Sequence, residues 1–269
     1  MINLSFSGSG FLFPIHVGAL RAVEETNAKI VGYSGTSGGS IIATMAAIGL
    51  SSETMMEIVQ DLRFTDFIKF DASALLRSSF CLGKEVEKWL KFVIDPNLTF
   101  SDLDIPLYIV ATDINQNEGY VLCKESCPDM PLWLAVRASL SLPFIYTPVH
   151  YEGRVLMDGA LYTNTPIEVF KGSEHKTLGF QITSKDTRNY FNEIRWIPDI
   201  AMRVLSMVMN NMDRLHYRLS ELDPLSEMVF IDKGSYSALD SKLTDKDVAK
   251  LHNMGYLACK TKADAFVSS

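Results

Sequence analysis

The sequence predicts an α/β protein in which a mainly parallel central sheet lies between helices, a three-layer α/β/α arrangement followed by a helical C-terminal extension. Three observations lead there. Strand-like and helix-like stretches alternate from residue 2 to about residue 183. The first two strand-to-helix junctions, "SGSGF" and "GTSGGS", are glycine turns of the kind parallel sheets use. The chain has 269 residues, 47% of them hydrophobic, which is enough for one large core. A single domain over 1–269 is expected, with its core at 3–183 and the extension at 190–269.

The elements follow in order. "INLSFS" reads as the first strand, and after "GSG" the residues Ile15, Ala19, Leu20, Ala22 and Val23 recur at helical spacing, with Asn27 as a stop. "KIVGYSG" is a second strand and "GSIIATMAAIGL" a buried helix. "PLYIVATDI" and "GYVLCKE" are strands, "MPLWLAVRASLS" is a helix that ends before Pro143, "GRVLMDGA" is a strand and turn, and "HKTLGFQI" is another strand. Residues 190–222 read as one or two long, Met-rich amphipathic helices. The end of the chain reads as a helix with a capping box in Thr244 and Asp247.

Composition excludes several classes of function. A formal charge of -7, from 32 acidic and 25 basic residues, argues against a nucleic-acid partner, which draws its affinity from clustered Lys and Arg. Cys81, Cys123, Cys127 and Cys259 are too few and scattered for a disulfide framework. Cys123 and Cys127 stand four apart with no second pair of ligands, so no metal site and no cofactor are expected. The first strand leaves no room for a signal peptide, and no apolar run reaches the roughly 18 residues of a membrane span. A cytoplasmic location with, at most, peripheral contact to a membrane or lipid-droplet surface is the expectation, and protein partners are not indicated.

The chemistry concentrates at the glycine turns. In Gly35-Thr36-Ser37-Gly38-Gly39, a Gly-x-Ser-x-Gly turn between strand and helix lifts a serine hydroxyl out of the sheet at a helix N-terminus. The amide of Gly38 can there face a developing oxyanion. Such turns also cradle phosphates, but no Lys follows the glycines as a Walker loop requires, and Phe11, Leu12 and Phe13 are too bulky for a dinucleotide fingerprint. The α/β-hydrolase pattern needs several strands before its nucleophile, whereas only one strand and one helix precede the strand that leads into Ser37. His16, His150, His175, His216 and His252 carry no motif and read as ordinary core or surface histidines. Asp158, at the end of an apolar strand and followed by Gly159 and Ala160, is the better partner: a dry pocket would raise its pKa toward that of a useful base. A plain turn remains the alternative for the Asp-Gly pair.

The blocks "SGSGFLFPIHVGAL", "GTSGGS", "VATDINQNEG", "RASLSLPFIYTPV" and "MDGALYTNTP", in this order over roughly residues 3–183, together resemble the patatin-like phospholipase family. The resemblance implies a serine-aspartate dyad without histidine, at Ser37 and Asp158, and an oxyanion hole from Gly8, Ser9 and Gly10 with Gly38. It also implies hydrolysis of fatty-acyl esters of phospholipids or neutral glycerolipids. Leu12 stands where many members of that family carry arginine, and the Phe11-Leu12 pair is nearer the animal-type lipase branch, which points toward neutral lipids. The same residues suit an acyltransferase, and a lipid-binding protein that has lost activity is a further alternative. "LRFTDFIKFDASALL" at 62–76 and the helix from Tyr190 to Leu219 are candidates for apolar lipid contact or for plain core packing.

Overall fold

The computed structural model describes residues 1–76, 79–184, 200, 203–204, 207, 211 and 223–268. Strand β1 (Ile2–Phe6) passes through a 3-10 turn at Gly10–Leu12 into helix α1 (Pro14–Glu24), where Pro14 sits in the first turn and forfeits no intrahelical bond. Then come β2 (Ile30–Thr36), α2 (Gly38–Ala47), α3 (Ser52–Gln60), the short α4 (Ala72–Leu75) and α5 (Lys84–Val93). The middle of the chain forms β3 (Leu107–Asp113), β4 (Glu118–Leu122), α6 (Leu132–Ser139), β5 (Val149–Tyr151) and β6 (Arg154–Asp158). The described part ends with β7 (Lys176–Thr183), β8 (Ser226–Asp232) and α7 (Asp245–Ser268).

The sheet runs in the order β5-β6-β3-β2-β1-β7-β8, with β4 also on β3. The β1–β2, β1–β7, β2–β3 and β7–β8 ladders are parallel; β3–β4, β3–β6 and β5–β6 are antiparallel. β4 pairs with β3 from Ile109 to Asp113 and so fills one edge of that strand. β2 and β6 must therefore share the other edge. β2 leaves it with Thr36 opposite Val110, and β6, running the opposite way, arrives with Asp158 opposite Ala111. The C-terminal ends of two strands thus meet head to head at adjacent positions of β3.

Side-chain alternation along the strands sorts the two faces. Leu4 and Phe6 point to the helices, where the Phe6 ring meets His16 of α1 edge-on at 5.5 Å and Phe180 of β7 at 5.3 Å. Asn3, Ser34 and Thr36 point to the other face. There they hydrogen-bond to Thr177, to the Pro166 carbonyl and to the Thr163 carbonyl. That second face is polar, and the segment 163–170 with its 3-10 turn Ile167–Phe170 lies over it. At the back of the helical layer α7 crosses α1 closely enough that a side chain on Gly18 would run into the His252 carbonyl, and one on Gly255 into the Ile15 carbonyl.

Several expectations are refined. The terminal helix begins with the expected capping box: Thr244 Oγ1 accepts from the Asp247 amide while the Asp247 carboxylate accepts from the Thr244 amide at 2.9 Å. Ahead of it lies β8, a strand inside the stretch read only as helical. It extends the sheet beyond β7, and its strand pattern is weak because Phe230 faces out, 41% exposed, and blurs the alternation. The helices expected over 190–222, including Tyr190 to Leu219, lie outside the described residues apart from isolated positions. Within 62–76, Phe64 and Phe67 belong to the core, packed edge-on or tilted against Phe11, Phe13 and Trp89, while Phe70 and Leu76 are exposed. All four cysteines are free and buried, and burial raises the thiol pKa of Cys123 and Cys127.

Candidate active site

Ser37 occupies the junction of β2 and α2 with φ 50° and ψ -126°, a conformation that costs a residue with a Cβ about 1–3 kcal/mol. Small neighbours make the reversal feasible. A side chain on Gly39 would collide with the carbonyl oxygens of Phe6 and Ser7, and one on Gly35 would lie 2.6 Å from the Gly39 carbonyl oxygen. The Ser37 carbonyl accepts from the Ser40 amide at 2.9 Å and the Ser40 hydroxyl at 2.6 Å, which seals the first turn of α2. The Ser37 amide donates sideways to the Ser139 hydroxyl at 2.8 Å.

Asp158 lies 121 positions later, at the end of β6, and the head-to-head meeting of β2 and β6 brings it to the serine. The Ser37 hydroxyl donates to Asp158 Oδ2 at 2.7 Å, and the Ala160 amide donates to Oδ1 at 2.9 Å. Asp158 is 1% exposed and Ser37 8%. Burial raises the Asp158 pKa to about 7, against the lowering effect of the Ala160 and Ser37 hydrogen bonds. The backbone of Asp158 is held too: its amide donates to the Ser141 carbonyl at 3.0 Å, and its carbonyl accepts from the Thr112 hydroxyl at 2.9 Å. Upstream in β6, Arg154 bonds Asp113 of β3 at 2.8 Å and pins the register of the two strands.

The first glycine turn lies against the start of α2. A Cβ on Gly38 would meet the Ser9 hydroxyl and stand 3.1 Å from the Gly10 nitrogen. The amides of Ser9, Gly10 and Gly38 make no hydrogen bond among the described residues, and the buried Ser9 hydroxyl is likewise without one. The Gly8 amide is already taken, donating to the Asn164 carbonyl at 2.9 Å. The loop is held from a distant part of the chain. Gly10 adopts φ +55° beneath Ala238, and the Phe11 amide donates to the Ala238 carbonyl at 2.8 Å. Leu12 is fully buried in the core, so the loop presents amides and no cation.

Among the described residues, no histidine bonds to Ser37 or Asp158. His16 is wholly buried; its Nε2 bonds the Ser7 carbonyl at 2.8 Å, and burial pushes its pKa down to about 4, with the Ser7 carbonyl acting the other way. His150 is exposed, and His175 and His252 are half-buried elsewhere. His216 lies outside the described residues. The residues that sequence reasoning assigned no role are Ser139, Ser141 and Ala238. The first two stood in the block "RASLSLPFIYTPV", which marked the segment but not its partners.

Comparison with known proteins adds the following. The family model described as patatin-like phospholipase matches residues 4–171. A protein of Acanthamoeba polyphaga mimivirus is 35% identical over 191 residues, 66% of this chain and 64% of the relative. A patatin-like phospholipase domain-containing protein of Caenorhabditis elegans is 26% identical over 87% of this chain, which spans 18% of that relative's length. Among solved structures, VipD from Legionella pneumophila superposes with a TM-score of 0.64 at 15% identity, covering 98% of this chain and 67% of that one. The type III effector ExoU gives 0.57 at 12% identity over 100% of this chain and 53% of that one.

Proposed function

The chain belongs to the patatin-like phospholipase family, and on that premise we propose that it hydrolyses fatty-acyl esters of phospholipids or neutral glycerolipids through Ser37 and Asp158. The observation that carries the reading is the 2.7 Å bond between Ser37 Oγ and a buried carboxylate whose pKa is raised to about 7. An ordinary aspartate is too weak a base for a serine hydroxyl, and one near neutrality is matched to the task. In the reaction Asp158 takes the Ser37 proton as Oγ attacks the ester carbonyl, and the amides of Ser9, Gly10 and Gly38 stabilise the oxyanion. Gly8 serves there by its lack of a side chain. The intermediate collapses to acyl-Ser37, and Asp158 returns the proton to the departing alcohol. Water then gives a proton to Asp158 and attacks the acyl group; collapse releases the fatty acid and returns the proton to Ser37.

The Ser37→Ala variant tests this directly. Hydrolysis of a medium-chain chromogenic ester and labelling by a fluorophosphonate probe are both expected to vanish. Undiminished turnover would remove the proposal.

The lipid substrate calls for an apolar approach, and Phe70, Leu76 and Phe144, 66%, 91% and 43% exposed, supply one. They lie on connected backbone, since the Asp71 amide bonds the Phe80 carbonyl and the Phe80 amide bonds the Phe144 carbonyl. Phe144 follows closely on Ser141, which holds Asp158. The protein is expected to float with liposomes, and replacing Phe70 and Leu76 by Ser should return it to the soluble fraction.

A further inference from the structure

We propose that Ser139 is a positioning residue for the nucleophile, and that the segment Ser139–Ser141 at the end of α6 acts as a jig setting the separation of Ser37 and Asp158. The inference rests on the serine-aspartate reading above and extends it to residues that touch no substrate.

The β2–β3 ladder runs as far as Thr36 opposite Val110, where the chain must leave the sheet for the reversal at Ser37. At that point the Ser139 hydroxyl is spliced into the ladder. It accepts from the Ser37 amide at 2.8 Å and donates to the Val110 carbonyl at 2.6 Å. A hydroxyl is both donor and acceptor, so one oxygen satisfies both backbone groups and widens the ladder enough for the strand to turn away. Without it, a buried amide and a buried carbonyl would lack partners beside the strained residue.

Two residues on, the Ser141 carbonyl accepts from the Asp158 amide at 3.0 Å. Both halves of the dyad therefore hang by their backbones from three consecutive residues, and Ser139 and Ser141 are completely buried. The jig is itself anchored by Arg137, 1% exposed. Arg137 Nη1 donates to Ser141 Oγ at 2.7 Å, and Nη2 donates to the carbonyls of Leu82 at 3.0 Å and Thr147 at 3.2 Å. Its Nε stands 3.5 Å from Glu87. A guanidinium with several fixed acceptors is a rigid support, and it transmits that rigidity to Ser141.

The test compares wild type, Ser139→Ala and Ser139→Cys by steady-state hydrolysis of a chromogenic ester as a function of pH, with melting temperature measured in parallel. Ser139→Ala is expected to lower kcat on the order of 10- to 100-fold per folded molecule with KM unchanged, because a misaligned nucleophile loses reactivity and not affinity. Its acid limb should move to higher pH, since a drifting Ser37 hydroxyl no longer stabilises ionised Asp158. Ser139→Cys, which keeps the size and a weaker hydrogen-bonding group, should lie between; if Ser139→Ala fails to fold, a reduced kcat in Ser139→Cys carries the result. Wild-type kcat and acid limb in the variant that folds would overturn the jig. Loss of turnover explained wholly by fewer folded molecules would overturn it as well. Absence of turnover in the wild type would overturn the hydrolase reading and the jig with it.

Discussion

On the mechanism proposed above Asp158 is the base, a role open only to its ionised form, and burial sets where that form appears. With a pKa of about 7 in the fold against 3.8 unperturbed, kcat/KM should rise with pH through about 7 as Asp158 loses its proton. The same shift has a stability consequence. The folded state holds a proton that the unfolded chain gives up, so the contribution of Asp158 is fully present below about 3.8 and is lost as pH rises through about 7. His16 acts in the opposite sense: with a pKa of about 4 against 6.5, its contribution is present above 6.5 and lost as pH falls toward 4. Between these values the folded chain keeps one proton on Asp158 while the unfolded chain places one on the histidine, and the two slopes offset each other. Asp158→Asn should therefore abolish turnover, melt higher than wild type at pH 8, and lose stability more steeply between pH 6.5 and 4. Calorimetry from about pH 8 down to about pH 4 reads all but the first.

At the scale of elements, the Ser37–Asp158 contact is made by strand register. Ser37 and Asp158 meet because β2 and β6 end at neighbouring positions on one edge of β3, and the Arg154–Asp113 pair prevents β6 from slipping. The tight start of α2 is the other requirement. Gly39→Ala would force its methyl against the Phe6 and Ser7 carbonyls, and a loss of about 1–3 kcal/mol in chemical denaturation, with loss of activity, is expected. The strands and helices bearing these residues were legible because each is long enough to show its period, and because the glycine turns punctuate them. Ser37 and Asp158 could be named one at a time from such local signals. The resemblance pairs them, but local signals alone could not, since the 2.7 Å contact depends on β3, which neither residue adjoins in sequence. Ser139 was hidden for a related reason: a serine at a helix end looks like any other until the amide it receives is known. β5, three residues long, and β8, flanked by stretches of helical pattern, were too weak to read.

The whole molecule is tied together at the back of the helical layer. α7 presses on α1 at Gly18 and Gly255, Tyr256 donates to Glu25 at 2.8 Å, and the Tyr236 hydroxyl donates to Asp247 at 2.8 Å near the start of α7. α1 continues directly from the loop bearing Ser9 and Gly10, so moving these helices apart should be felt at the site. Gly255→Val is expected to lower the melting temperature and to reduce kcat as well, whereas Leu257→Ser, at a position 63% exposed, should do neither. Paired melting curves and ester assays distinguish the two variants.

The carbonyl of Ala238 lies far outside residues 4–171, the span recognised by the family model, yet it receives the Phe11 amide and roofs Gly10. The border of the family model is therefore not the border of what holds the first glycine turn. A graft of the first 171 residues onto a foreign tail would inherit Ser37 and Asp158 but not the carbonyl that braces the proposed oxyanion loop. To recover full turnover, such a chimera would have to be given a substitute acceptor at that spot.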